Sequence, residues 1–524
     1  MALQFTRNAT VYVELTDGAS PPTTEQTWKL SVLDGFSFTQ SINSSEITIN
    51  EAGSTSRRAR LLFNDSLAPV EWSLSTYARP FAANSNTEVR CPEEALWAMM
   101  FGADAYTSGI FSRDGFVEVI GLDPLVANTL VANGPEYEIT TVGDINWRAI
   151  GAEESSPILG TKFIYNGQPI VGTSGVVKET KNINSFIDDI DVPADDINSF
   201  NLSKSNISSL SDNWNLYFAF EDGTNNQYYK LDSAVVNSVS IDFDIDGIAT
   251  ISWSGFAKAL SDLGTSAPAA LATPREEGLT STTNFIRNRI STVDLVRKDK
   301  LVGSADTNIV TGITVNGINN TGQAVLNVDG DISQLNVGDT VFVAGVVTSS
   351  QTVSSINGQA ITLSANLDGA SVGGEAVTIT SAVYDRYDVV ITGGNFTIEN
   401  NLNYLTPEEL GVVNAPLANI TGARSISGSL TCYLDNDQSS SKSGELFADL
   451  VSDTSTIRNV FDLGINIGGV SVGSPRLCLK LPTAHLEVPT INVEDLLTLE
   501  VNFHGQVSSG NVDLTNEATI QYKA

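Results

Sequence analysis

The stretch from Lys230 to Gly255 returns 250 positions later as Lys480 to Gly505. Both copies open with Lys-Leu-x-x-Ala. One closes with Ile251-x-Trp253-x-Gly255, the other with Val501-x-Phe503-x-Gly505. Further matches keep the same order along the chain. Phe5-Thr6-Arg7-Asn8 is answered by Phe285-Ile286-Arg287-Asn288, Phe38-Thr39 by Phe396-Thr397, and Ser73-Leu74-Ser75-Thr76-Tyr77 by Ser429-Leu430-Thr431-Cys432-Tyr433. Leu96-Trp97-Ala98 corresponds to Leu446-Phe447-Ala448. An ordered series of this kind indicates one structural unit present twice. At 524 residues the chain is also too long to fold around a single core.

Each unit reads as mainly β. Val11-Tyr12-Val13-Glu14-Leu15, Ser238 to Ile245 and Leu497 to Phe503 alternate apolar and polar side chains with period two, the signature of half-buried strands. Helical periodicity is rare and clearest over 92–101 and 444–451. The expected division is a first copy over 1–262, a linker over 263–283 and a second copy over 284–524. Gly264 to Pro274 is rich in Pro, Ala and Ser, as linkers are. Each copy carries one insertion at a different place: an accessory domain over 103–213 and a small β domain over 299–385. The second contains an Asn357-Gly358 hairpin turn. Such insertions belong on surfaces that tolerate them.

Charge and cysteine content narrow the function. The formal net charge is −33, from 61 acidic against 28 basic residues. Phosphate neutralisation as a mode of nucleic-acid binding is therefore disfavoured, whereas an acidic surface lets DNA pass without adhesion. Cys91, Cys432 and Cys478 are odd in number and lack paired spacing, so a reducing compartment is the simpler reading. No apolar run reaches the roughly 20 residues a membrane-spanning helix needs, and the N-terminus has no apolar signal core. A soluble intracellular product with no membrane partner is expected.

The second copy carries a resemblance. Thr421-Gly422-Ala423-Arg424-Ser425-Ile426-Ser427-Gly428-Ser429-Leu430-Thr431-Cys432-Tyr433, the helix after it, Pro475 to Ala484, and Leu497 to Phe503 together resemble the tail tube (major tail) proteins of long-tailed bacteriophages. The resemblance implies a β-sandwich with one flanking helix per copy. It also implies self-assembly into stacked rings around a channel for genome DNA, with other tail proteins at the tube ends. The doubling resembles fused tube proteins in which three chains build a pseudo-sixfold ring. The implied location is the virion tail, after assembly in the host cytoplasm. Pro135 to Gly151 with Gly160-Thr161-Lys162-Phe163 resembles a small accessory module of phage structural proteins.

Within that frame the polar strand faces are expected to line the channel: Glu71, Ser73, Ser75, Asp242, Asp244, Asp246, Ser252 and Ser254 in copy one, and Asn492, Glu494, Glu500 and Asn502 in copy two. Arg57, Arg58 and Arg60 are the densest basic cluster. They read either as a solvated loop or as a ring-to-ring contact with carboxylates. The long polar loops Ser44–Pro69 and Asn403–Ala423 are expected to mediate stacking. Asp242-Phe243-Asp244-Ile245-Asp246-Gly247 copies the start of a calcium-binding loop, but its twelfth position is Trp253 rather than Glu, and the alternation makes it a strand. His485 and His504, the only histidines, lack metal-ligand spacing. No catalytic signature is present, so no enzyme activity, metal or cofactor is expected. The competing reading is a surface-binding module, such as a fibre, capsid decoration or adhesin protein.

Overall fold

The computed structural model describes residues 9–18, 25–33, 35–48, 60–83, 88–107, 110–113, 116–120, 125–126, 136–150, 162–164, 174–181, 197–202, 209–222, 225–244, 247–275, 285–307, 313–329, 340–357, 359–387, 389–409, 412–435, 442–452, 459–468, 475–493, 496–507 and 517–523. The chain divides into two compact units: Met1–Gly121 with Asp196–Asp294 and Asp388–Ala524, and Leu122–Asp195 with Leu295–Tyr387.

The chain begins with β1 (Ala9–Thr16), β2 (Glu25–Leu30), β3 (Ser37–Thr48), β4 (Arg60–Tyr77) and the hairpin β5 (Phe81–Ala83) and β6 (Glu88–Arg90). Helix α1 (Glu94–Met100) leads into β7 (Ala105–Thr107), β8 (Ile110–Arg113) and β9 (Phe116–Ile120). Residues 122–195 supply β10 (Leu125–Val126), β11 (Glu136–Thr141), β12 (Lys162–Ile164) and β13 (Val176–Lys181). Next come β14 (Ile197–Leu202), β15 (Trp214–Phe220), β16 (Gln227–Asp232), β17 (Val235–Asp244), β18 (Thr250–Ala257) and β19 (Ala259–Gly264). β20 (Thr292–Thr307) opens the second half, and β21 (Thr314–Val315), β22 (Val325–Asp329), β23 (Thr340–Val343), β24 (Val347–Asn357), β25 (Ala360–Leu363) and β26 (Val377–Tyr387) follow. The chain finishes with β27 (Ile391–Glu399), β28 (Asn403–Leu405), β29 (Ala418–Ile420), β30 (Ser425–Tyr433), helix α2 (Ser443–Ser452), β31 (Phe461–Ile467), β32 (Arg476–Leu486), β33 (Thr490–Val493), β34 (Leu497–Gly505) and β35 (Ala518–Lys523). The protein is mainly β, as its alternation requires.

In the first unit one run of antiparallel strands goes β3-β4-β18-β17-β27-β30-β34-β33. A second layer begins with β2-β1-β15-β16-β19. Phe38 of β3 meets Phe218 of β15 at 4.6 Å and Tyr229 of β16 at 5.5 Å between ring centres, so the two layers face each other as a sandwich. Farther along the chain β31, β32 and β35 pair in the manner of β15, β16 and β19. The strand orders agree over these elements, while β35 also pairs with β14 and β32 with β34, pairings that β19 and β16 lack.

The register makes the correspondence residue-specific. Phe38 lies opposite Trp72, and Phe396 opposite Gly428, so the two independently matched sequence segments meet in the same cross-strand pair. The constant offset of the Lys230 and Lys480 segments does not survive to their ends. Ser254 pairs with Ser73, whereas Asn502 pairs with Ser429, which equates Gly255 with Phe503 rather than Gly505. The β33–β34 turn is tighter than the β17–β18 turn, so the closing strand slips by a full pleat and keeps its facing.

The helices differ in setting. All seven residues of α1 are buried: six are apolar, and Glu94 is ion-paired with Arg90 at 3.3 Å. Trp97 packs edge-on against Trp253 at 4.8 Å, and its Nε1 donates to the Tyr522 hydroxyl at 2.7 Å. Helix α2 buries only Ser443, Leu446 and Leu450. The Pro/Ala-rich linker is also more ordered than its composition implies. Ala270 and Leu271 pack on the cluster of Tyr12, Tyr217, Ala219 and Tyr228, and Arg275 bridges alongside Trp28 of β2.

The second unit contains two parts. Residues 122–195 contribute the sheet β10-β13-β11-β12; there Trp147 is buried and donates to the Val142 carbonyl at 2.6 Å. Residues 295–387 build a small barrel in which β21 to β26 surround an aliphatic core including Val315, Leu326, Val341, Val347 and Ile361. A bridge from Thr314 to Ala376 joins its ends.

Candidate functional site

One face of the run from β3 to β33 is predominantly polar, interrupted by Phe256 opposite Glu71. Period-two alternation puts Ile241, Phe243, Ile251, Trp253, Trp72, Leu74, Leu499, Val501 and Phe503 into the core at 3% exposure or less. Their neighbours must therefore project from the opposite face. Of the residues expected there, Asp242, Asp244, Ser252, Glu71, Asn492 and Asn502 are exposed, and Ser73, Ser75, Ser254 and Glu500 are half-buried. Asp246, Glu494, Arg57 and Arg58 lie outside the described residues. Arg60 opens β4 opposite Thr48.

Cross-strand register joins these positions into rows. One row runs Ser37, Ser73, Ser254, Ser238, Glu399, Ser425. The next runs Ser75, Ser252, Ser240, Thr397, Ser427, His504. A third runs Tyr77, Thr250, Asp242, Asn395, Ser429, Asn502. The hydroxyls engage one another, with Ser37 Oγ 2.9 Å from Ser73 Oγ and Ser75 Oγ 3.3 Å from Ser252 Oγ. Asn395 Oδ1 accepts from the Ser429 amide at 3.0 Å. Asp242, Asp244, Glu71, Glu399 and Glu500 supply negative charge, and no Lys or Arg occupies these rows among the described residues.

His504 is the one cationic-capable side chain in the rows. Its Nε2 lies 3.0 Å from Glu487 Oε1, and Asn502 Nδ2 donates to Glu487 Oε2 at 3.1 Å. Hydrogen bonds from His504, then from Asn502, hold the Glu487 carboxyl below its ordinary range. Asp242 and Asp244 sit on an extended strand, where successive same-face carboxylates line up along the pleat rather than converging on one ion.

Sequence reasoning placed the closing hairpins on this face but missed β27 and β30, whose Asn395, Thr397, Ser427 and Ser429 form its centre. The alternation in Asn395-Phe396-Thr397-Ile398-Glu399 carried the signal. What it lacked was the pairing of β17 with β27, which fuses the two halves into one surface.

The segments read as stacking loops take different forms. Ser44–Thr48 and Arg60–Pro69 are the extended arms of the β3–β4 hairpin, with register shifts near Gln40 and Asn43. Leu62 and Phe63 on these arms, and Ile42 just before them on β3, are at least half exposed, at 67%, 51% and 52%. Within the second segment β28 and β29 pair with each other, and Asn414 exchanges backbone bonds with Asp65 and Leu67 at the base of the arm.

No protein-family profile matches the chain. Against individual proteins, it is 25% identical over 507 residues to the tail tube protein pb6 of Escherichia phage T5, covering 96% of this chain and 72% of that protein. The resemblance to tail tube proteins of long-tailed phages therefore extends along nearly the whole sequence.

Proposed function

We propose, from the premise of that likeness to a phage tail tube protein, that this chain is a structural subunit of a tail tube in the virion tail. The carrying observation is the polar sheet face: acidic, hydroxyl-rich, without Lys or Arg in its rows, and built jointly by both halves of the chain. A surface of this kind neither binds nor strongly holds a polyanion, which suits a channel through which DNA must slide. The role is assembly rather than catalysis.

The coincident strand orders support an internal duplication, with one tube domain in each half and the insertions added to them. Among the described residues β3 forms a strand ladder only with β4, and β33 only with β34. Free edges are aggregation hazards unless a defined partner covers them. Three copies joined edge to edge would close a ring with pseudo-sixfold symmetry, and the rings would stack through the β3–β4 arms. The apolar Ile42, Leu62 and Phe63 of that hairpin support a stacking role, and Arg60, opposite Thr48, opens its second strand. Assembly would take place in the host cytoplasm.

Negative-stain electron microscopy of the purified chain is the direct test. Annular rings or hollow tubes are expected. Discrete single particles at high concentration would refute the reading and favour a surface-binding module.

A further inference from the structure

The chain contains one joint between a closing edge and an opening edge, and it carries a second, open pair of the same edges. The internal joint is β17 against β27, antiparallel, with Ser240 opposite Thr397, Ile241 opposite Phe396 and Asp242 opposite Asn395. Register transfers these positions to the outer edges. Since Phe38 and Phe396 occupy equivalent pairs, Ser37 corresponds to Asn395. Since Ser254 and Asn502 do so, Thr250 corresponds to Thr498, and their partners Asp242 and Asn492 correspond in turn.

Burial marks the outer edges as unfinished. Ile241 and Phe243 are 0% and 2% exposed in the internal joint, whereas their counterparts Ile491 and Val493 are 40% and 77% exposed. Phe396 is 1% exposed, and its counterpart Phe38 is only half-buried. The ends of the joint repeat the contrast. Phe285 packs edge-on against Tyr77, and the Ala249 amide donates to the Ile286 carbonyl at 2.9 Å. The corresponding Tyr433 and Leu497 are 37% and 44% exposed.

We infer that β33 of one copy pairs antiparallel with β3 of a second copy in the register of the internal joint, placing Asn492 opposite Ser37 and Thr490 opposite Thr39. Ile491 then packs beside Phe38, as Ile241 does beside Phe396. The inference rests on the ring reading and specifies its joint: the β17–β27 pairing is the template for every contact around the ring.

Paired cysteines test it in the full chain. The native Cys91, Cys432 and Cys478 are buried, and burial pushes the Cys432 and Cys478 thiols up to about 11 and about 12, so mild oxidation acts on the introduced pair. Chains carrying Asn492→Cys with Ser37→Cys, or Thr490→Cys with Thr39→Cys, should give disulfide-linked multimers on a non-reducing gel. Thr490→Cys with Ser37→Cys, which is out of register, should stay monomeric on the gel, as should each single variant. Rings in the microscope with no cross-link from either in-register pair would overturn the joint and leave the tube reading intact. Stronger cross-linking of the out-of-register pair would overturn the register. Single particles with no cross-link would refute the tube reading and the joint together.

Discussion

Trp72 faces Gly255 in the first half, and Gly428 faces Phe503 in the second. These are the same cross-strand pair with the aromatic and the glycine exchanged between strands. Neither glycine leaves room for a Cβ: one built at Gly255 would lie 2.6 Å from Trp72 Cζ2, and one at Gly428 would collide with the Phe503 ring. The core thus keeps its volume at this position while the side chains trade places. A second decisive residue is Glu93, fully buried beside α1. Burial pushes its carboxyl up to about 7, against the opposing pull of Tyr522 and Arg79. A carboxyl with a raised folded-state pKa stabilises the fold below its unfolded value, and that contribution is lost as pH rises toward 7. Between pH 4.5 and 7.5 the wild type should therefore lose on the order of 3 kcal/mol relative to Glu93→Gln. Denaturant titrations of both proteins at the two pH values measure this. An unchanged difference would show that the Glu93 carboxyl binds its proton in the fold as it does in the unfolded chain. On the polar face, Asp242→Lys with Asp244→Lys alters only exposed side chains, so stability should move by about 0.5 kcal/mol or less per site. Tubes should still form and should retain DNA in a salt-sensitive way. A DNA-retention assay with a salt series checks the outcome, and tubes as inert to DNA as wild type would count against the channel reading.

At the scale of elements, β20 and β26 form the stem of the small barrel. Thr307 lies opposite Thr380, so the chain leaves and re-enters the stem at neighbouring positions. The barrel has its own aliphatic core and its own closing bridge. Replacing residues 308–379 with a short Gly/Ser turn should therefore leave a hairpin in place of a domain, and loop-closure entropy changes little or favours the shorter connection. The shortened chain should remain folded, with near-native circular dichroism and a thermal midpoint within a few degrees of wild type. Loss of cooperative unfolding would show that the barrel is needed by the rest of the chain. The helices make the complementary point: two segments with matching Leu-aromatic-Ala cores fold as helices in both halves, yet α1 is fully enclosed and α2 is amphipathic. Local sequence specified the helix, and surrounding strands specified its burial.

For the molecule as a whole, the sequence by itself determined the strand content, the facing of most strands and the order of matched segments. Those properties depend on period-two alternation and on short local motifs, both legible without coordinates. Only the tertiary structure decided three further matters. It moved the equivalence of Gly255 to Phe503, because hydrogen-bond register rather than residue counting fixes which residues face each other across a ladder. It made arms of β3 and β4 out of what reads as a polar loop, because exposed Asn, Ser and Asp on a two-stranded extension lack the apolar face that identifies a strand. It paired β17 with β27, bringing residues more than a hundred positions apart into one acidic face. A strand's own side chains dictate which way it faces. The neighbour that takes its backbone hydrogen bonds is chosen by the packing of the whole sheet, and no single segment encodes it.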